Sequence, residues 1–177
     1  MGIPTLISTA TASNAANVSI TSGIDSTYDE YMFLFIDIHP VTDDTQLNFY
    51  GSTDGGSSYG VTKTTTFFRT YHTEDDATAL LGYIASGDQA QSTNPQGVIY
   101  AIGNDNDRCG VGALHLFNPS STTYVKHFYD IGQSAANAYT YQIFPAGYFN
   151  TTSAINAVKF QLDSGNFDGT IKMYGVG

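Results

Sequence analysis

Clusters of Gly, Asn, Asp and Ser interrupt this chain at short intervals from one end to the other. The runs between them are rich in aromatic and β-branched residues and have the length of strands, about four to eight residues. No stretch carries a sustained apolar period of about 3.6 residues bounded by helix caps, and Glu74 to Leu81 offers one helical turn at most. A chain punctuated in this way buries its apolar side chains by packing pleated sheets against each other.

The runs Val18–Thr21, Tyr31–Ile38, Gln46–Tyr50, Gly60–Tyr71, Leu80–Ile84, Val98–Ile102, Gly112–Phe117, Tyr124–Tyr129, Tyr139–Phe144, Ala157–Leu162 and Gly169–Tyr174 read as about ten antiparallel strands. They are of two kinds. Tyr31 to Ile38 is apolar on both faces until Asp37, the pattern of a central strand covered on both sides. Ala157 to Leu162 alternates, with Val158, Phe160 and Leu162 opposite Lys159 and Gln161, so one of its faces meets solvent. The expectation is an all-β protein, a jelly-roll or lectin-like β-sandwich forming one domain over residues 1–177. A complete propeller would need more strands, and no internal repeat is visible.

Charge narrows the function. Six basic residues stand against 16 acidic ones, for a net charge of −10. Lys63, Arg69, Arg108, Lys126, Lys159 and Lys172 are scattered singly, whereas a phosphate-binding surface needs them clustered. Nucleic acid and anionic lipid are thereby disfavoured as partners. Cys109 is the sole cysteine, which excludes an intrachain disulfide and fits synthesis in a cytoplasm. The segment Met1–Ala10 lacks the basic start and apolar core of a secretory signal, and no run approaches the length of a membrane span.

Catalytic and binding motifs are sparse. Ser52-x-Asp54-x-Gly56-x-Ser58-Tyr59 is similar to the Asp-box of sialidases, S-x-D-x-G-x-T-W, with Ser for Thr and Tyr for Trp. That motif is a structural turn and does no chemistry, and sialidases add several copies and an Arg cluster that this chain lacks. Asp54, Gly55, Gly56 and Tyr59 therefore read as a hairpin turn, in which Asp54 accepts backbone N–H groups, the glycines supply positive φ, and Tyr59 starts the returning strand. A glycosidase needs two facing carboxyls, and Asp37, Glu30 and Glu74 are the weak candidates.

The loop Gly103–Arg108 sets Asp105 and Asp107 among asparagines, which makes them weak calcium candidates. The expectation is nevertheless no metal and no cofactor. His39, His72, His115 and His127 have no metal-ligand spacing, although His115 and His127 fall on neighbouring strands. No nucleophile elbow, phosphate loop or dinucleotide fingerprint occurs. The 13 tyrosines suit either a sugar platform or subunit packing.

Five segments taken together carry a resemblance: Ile24–Pro40 (IDSTYDEYMFLFIDIHP), Gly51–Tyr59 (GSTDGGSSY), Lys63–Tyr71 (KTTTFFRTY), Leu116–Ser120 (LFNPS) and Gly169–Gly175 (GTIKMYG). They resemble small structural proteins of tailed phages, of the kind found in marine phages and cyanophages. The resemblance implies a virion component made in the host cytoplasm and displayed on the virion surface, with no catalytic residue carried over. A compact chain without a shaft then points to a capsid decoration protein or a tail-attached accessory subunit, homo-oligomeric and docked on other virion proteins. The alternative is a carbohydrate- or receptor-binding module of a tail fibre that recognises a host surface glycan.

Overall fold

The computed structural model describes residues 2–177. These residues form twelve strands and no helix, so no helix is long and apolar enough to cross a membrane. The strands are β1 (Thr5–Ala15), β2 (Val18–Ile20), β3 (Glu30–Pro40), β4 (Thr45–Ser52), β5 (Lys63–Thr73), β6 (Ala79–Tyr83), β7 (Gln96–Ile102), β8 (Gly110–Phe117), β9 (Lys126–Ala136), β10 (Tyr139–Phe149), β11 (Ala157–Leu162) and β12 (Phe167–Val176). Eight of them lie in one sheet, in the order β1-β12-β3-β8-β9-β10-β5-β6, and four in another, β2-β11-β4-β7. Every pairing is antiparallel.

The two sheets pack as the expected β-sandwich, with unequal layers. Alternation along each strand sends one set of side chains inward. Phe33 and Phe35 of β3, Phe128 of β9 and Phe149 of β10 meet Phe49 of β4 and Phe160 of β11, and all six are buried. The Phe49 ring lies 5.3 Å from Phe128, 5.5 Å from Phe149 and 5.8 Å from Phe160, centroid to centroid. Such contacts add roughly 1 kcal/mol per pair beyond the area they bury.

Four expectations are corrected. The strand β1 escapes a hydrophobic reading because Thr5–Ala15 is mostly Thr, Ser and Ala; it forms by pairing with β12, from the opposite end of the sequence. Strands β4 and β5 are not a hairpin. The first pairs with β11 and β7 and the second with β10 and β6, so the Gly51–Gly60 segment carries the chain from the smaller sheet to the larger. Residues Glu74–Leu81 form a turn and the strand β6 in place of a helical turn. Finally, β3 is covered on one side only. Tyr31, Phe33 and Phe35 are buried under the smaller sheet, while Met32, Leu34 and Ile36 lie half-buried on a face over which the chain places no second layer.

Candidate functional site

That bare face runs across the larger sheet. Met32, His115, Tyr129, Ala146 and Thr66 are register partners in five successive strands, and therefore point the same way. Beside them Leu34, Ala113 and Ile131 form a second row, and Phe144 faces Phe68, which faces Tyr83. Phe144 and Phe68 stack at 4.8 Å, and the Tyr129 ring lies 4.6 Å from that of His115. Ile131 keeps 43% of its surface exposed and Leu81, near the edge, 71%. Among the outward-facing residues of β3, β8, β9, β10 and β5 the carboxylates are two, Glu30, which is bonded to His115, and Asp37, exposed at the β3 bulge. The remaining acids of a strongly acidic chain lie elsewhere, mainly in loops.

A second feature occupies the other side of the same sheet. Along β10, Thr140, Gln142 and Phe144 point to the bare face, so Tyr139 and Tyr141 point inward, beyond the edge strand β7 of the smaller sheet. There they line a cleft of about 370 Å³ together with Asp43, Asp44 and Asn137. Behind Tyr141 lies Arg69, whose guanidinium carbon is 5.4 Å from the Tyr141 ring, 5.5 Å from Tyr100 and 5.7 Å from Tyr71. The Arg69 Nε is buried without a hydrogen-bond partner, so the rings hold this cation through their π faces.

The residues singled out from the sequence fare differently. The Asp54 turn forms as a turn: Oδ1 accepts the Ser58 N–H at 2.9 Å and the Ser52 hydroxyl at 2.7 Å, and Oδ2 accepts the Ser58 hydroxyl at 2.6 Å. The bonds from Ser58 and Ser52 hold its carboxyl down at about 2. Gly55 and Gly56 take φ values of 72° and 91°, as the turn requires. Tyr59 does not begin the next strand, which starts at Lys63; its ring lies 5.1 Å from the Lys159 ammonium.

Asp105 is engaged by Arg108 at 2.8 Å, and among the described residues no three His, Cys, Asp or Glu side chains converge as a metal site. Glu30 and Asp37 sit at opposite ends of β3, about 20 Å apart at the usual rise per residue, too far to flank one glycosidic bond. Glu74 lies in the β5–β6 turn. His115 faces Tyr129 and His127 faces Tyr148, so the two histidines are not paired. Cys109 is a free thiol whose Sγ lies 4.0 Å from Asp37 Oδ1, and burial pushes the thiol pKa up.

No protein-family model and no curated protein matches this chain. The functional reading therefore rests on its two surfaces. Sequence reasoning named tyrosines as a class and missed both groupings, because inward and outward positions on β10 are separated only by strand register. The apolar second face of Tyr31–Ile38 was the legible signal for the open face.

Proposed function

We propose that this chain is a non-enzymatic structural protein of a phage virion, a capsid decoration or tail-attached accessory subunit, and that it self-associates through the open face of its larger sheet. One observation carries the reading: β3 has the composition of a strand covered on both sides, yet one side is bare. Eight strands about 4.8 Å apart, taken over about six residues of each, span roughly 750 Å². A standard interface takes about 800 Å² from each partner, and the largest apolar patch on an ordinary monomer is about 300–600 Å².

A second copy fits this face for an electrostatic reason. Two chains of net charge −10 repel at most orientations, but the outward carboxylates of the larger sheet are few. Glu30 is hydrogen-bonded to His115, and Asp37 and Asp168 lie at the other end of β3 and its neighbour β12, so the apolar rows can meet with little opposing charge. A two-fold axis would set the same rows of Met32, Tyr129 and Ile131 against each other. The segments resembling phage structural proteins include the whole of β3 and most of β12, two adjacent strands of this sheet.

Two measurements test the proposal. Light scattering at on the order of 100 µM should give a dimer or higher oligomer, and Ile131→Lys should reduce it to monomer with an unchanged circular dichroism spectrum. Mass spectrometry of purified particles of a phage encoding the chain should find it in the virion. A wild-type monomer sinks the interface, and absence from particles sinks the virion role.

A further inference from the structure

Beyond assembly, we propose that the cleft bounded by Tyr139, Tyr141, Asp43, Asp44 and Asn137 binds an uncharged, hydroxyl-rich sugar ring. The cleft lies on the inner side of the sheet, so a ligand there does not compete with the open face. Its size falls in the range of small-ligand sites, and it combines an aromatic wall with a few convergent polar groups.

The wall is fixed before any ligand arrives. Tyr139 and Tyr141 lie 5.8 Å apart with planes inclined by 33°, and Tyr71 stands edge-on to Tyr139 at 6.0 Å. Tyr100 stands edge-on to Tyr141 at 5.9 Å, and Arg69 sits within the group formed by Tyr71, Tyr100 and Tyr141. Arg69 is thus a positioning residue for Tyr141. Tyr139 remains 38% exposed and offers a face to the C–H side of a pyranose.

The polar groups are also set. Asp43 Oδ1 accepts the Asn104 N–H at 3.1 Å, which orients that carboxylate. Asn137 Oδ1 accepts the Arg108 guanidinium at 3.5 Å, which turns the amide N–H groups outward as donors. Asp44 holds a φ of 53° at the tip of the β3–β4 turn, and its carboxylate has no hydrogen-bond partner among the described residues. A pair of carboxylates accepts charge-assisted bonds from neighbouring hydroxyls of one ring, while the amide serves a ring or acetamido oxygen. Two acids line the rim, and the one basic side chain beside it, Arg108, is paired with Asp105 at 2.8 Å, a balance that disfavours sialic and uronic acids, so the ligand class is neutral.

The test is saturation-transfer NMR on the full chain with methyl glucoside, methyl galactoside, methyl mannoside, N-acetylglucosamine and sialic acid, each with and without a calcium chelator. At least one neutral sugar should receive saturation with a millimolar Kd, unaffected by chelator. Asp44→Asn and Tyr139→Ala should each weaken it by ten-fold or more, with unchanged unfolding midpoint and oligomeric state. Ile131→Lys should leave it unchanged. No transfer to any neutral sugar, preference for sialic acid, loss on chelation, or indifference to both cleft substitutions would each overturn the proposal.

Discussion

His115 Nδ1 lies 2.5 Å from Glu30 Oε1, joining β8 to the start of β3 on the open apolar face. The two side chains keep only 20% and 24% of their surface exposed, and the Tyr129 ring stacks on the imidazole from the next strand. A charge-assisted bond in this half-dry setting is stronger than an exposed pair. Glu30→Gln should therefore cost about 1 kcal/mol in urea unfolding. A double-mutant cycle with His115→Gln should return a coupling of about 0.5–1.5 kcal/mol, and a coupling near zero would show the pair to be incidental.

Asp130 should make the protein less stable as pH rises. It points inward from β9, is 1% exposed, and neither carboxyl oxygen has a hydrogen-bond partner. Burial pushes its pKa well above the ordinary 3.8, so the folded chain keeps a proton that the unfolded chain releases. Between those two values the native state binds more protons, and stability falls with increasing pH. Asp130→Asn should flatten that decline when urea midpoints are compared at pH 4.5 and 7.5. Asp130→Leu should raise stability at neutral pH by about 1–3 kcal/mol. An equal decline in Asp130→Asn would assign the effect to another group.

Lys63 carries the opposite sign. It is fully buried at the start of β5, its ammonium donating to the Asn94 carbonyl, and burial pulls its pKa from 10.5 down to about 8. From pH 8 to 10.5 the unfolded chain holds the proton and the folded chain does not, so stability rises across that window. Lys63→Met should remove the rise, which chemical denaturation at pH 8 and 10 measures directly.

The inter-sheet spacing is tested at Gly132. A Cβ there would lie 1.9 Å from the Val98 carbonyl oxygen of β7, a backbone atom with little freedom to yield. Gly132→Ala should cost about 3 kcal/mol or more by overpacking. Gly60→Ala is the control, since nothing lies within 4 Å of its added methyl, and it should change stability by under about 0.5 kcal/mol.

Much of the strand content was legible because its signals are local. Alternation in Ala157–Leu162 and the continuous apolar run of Tyr31–Ile38 each mark a strand by themselves. The Asp54 turn was legible too, since Ser52, Asp54 and Ser58 bond within seven residues of one another. Neither surface was legible as a site. Arg69, Tyr100 and Tyr141 lie far apart in sequence, and no spacing rule connects β5, β7 and β10.

By itself the sequence determined that the chain would be all-β, where most strands lie, and that its basic residues stand singly, because each follows from neighbours along the chain or from totals. Tertiary structure decided the rest. Pairing of Thr5–Ala15 with the final strand turned a Thr- and Ala-rich segment into β1. The division into eight strands and four left one face of β3 open and placed three tyrosines around one arginine. The physical reason is that backbone hydrogen bonds carry no sequence identity. A strand's own residues specify that it will pair and which side is apolar, whereas its partner, and whether a second layer covers its other side, are settled by how all the strands compete for the same core.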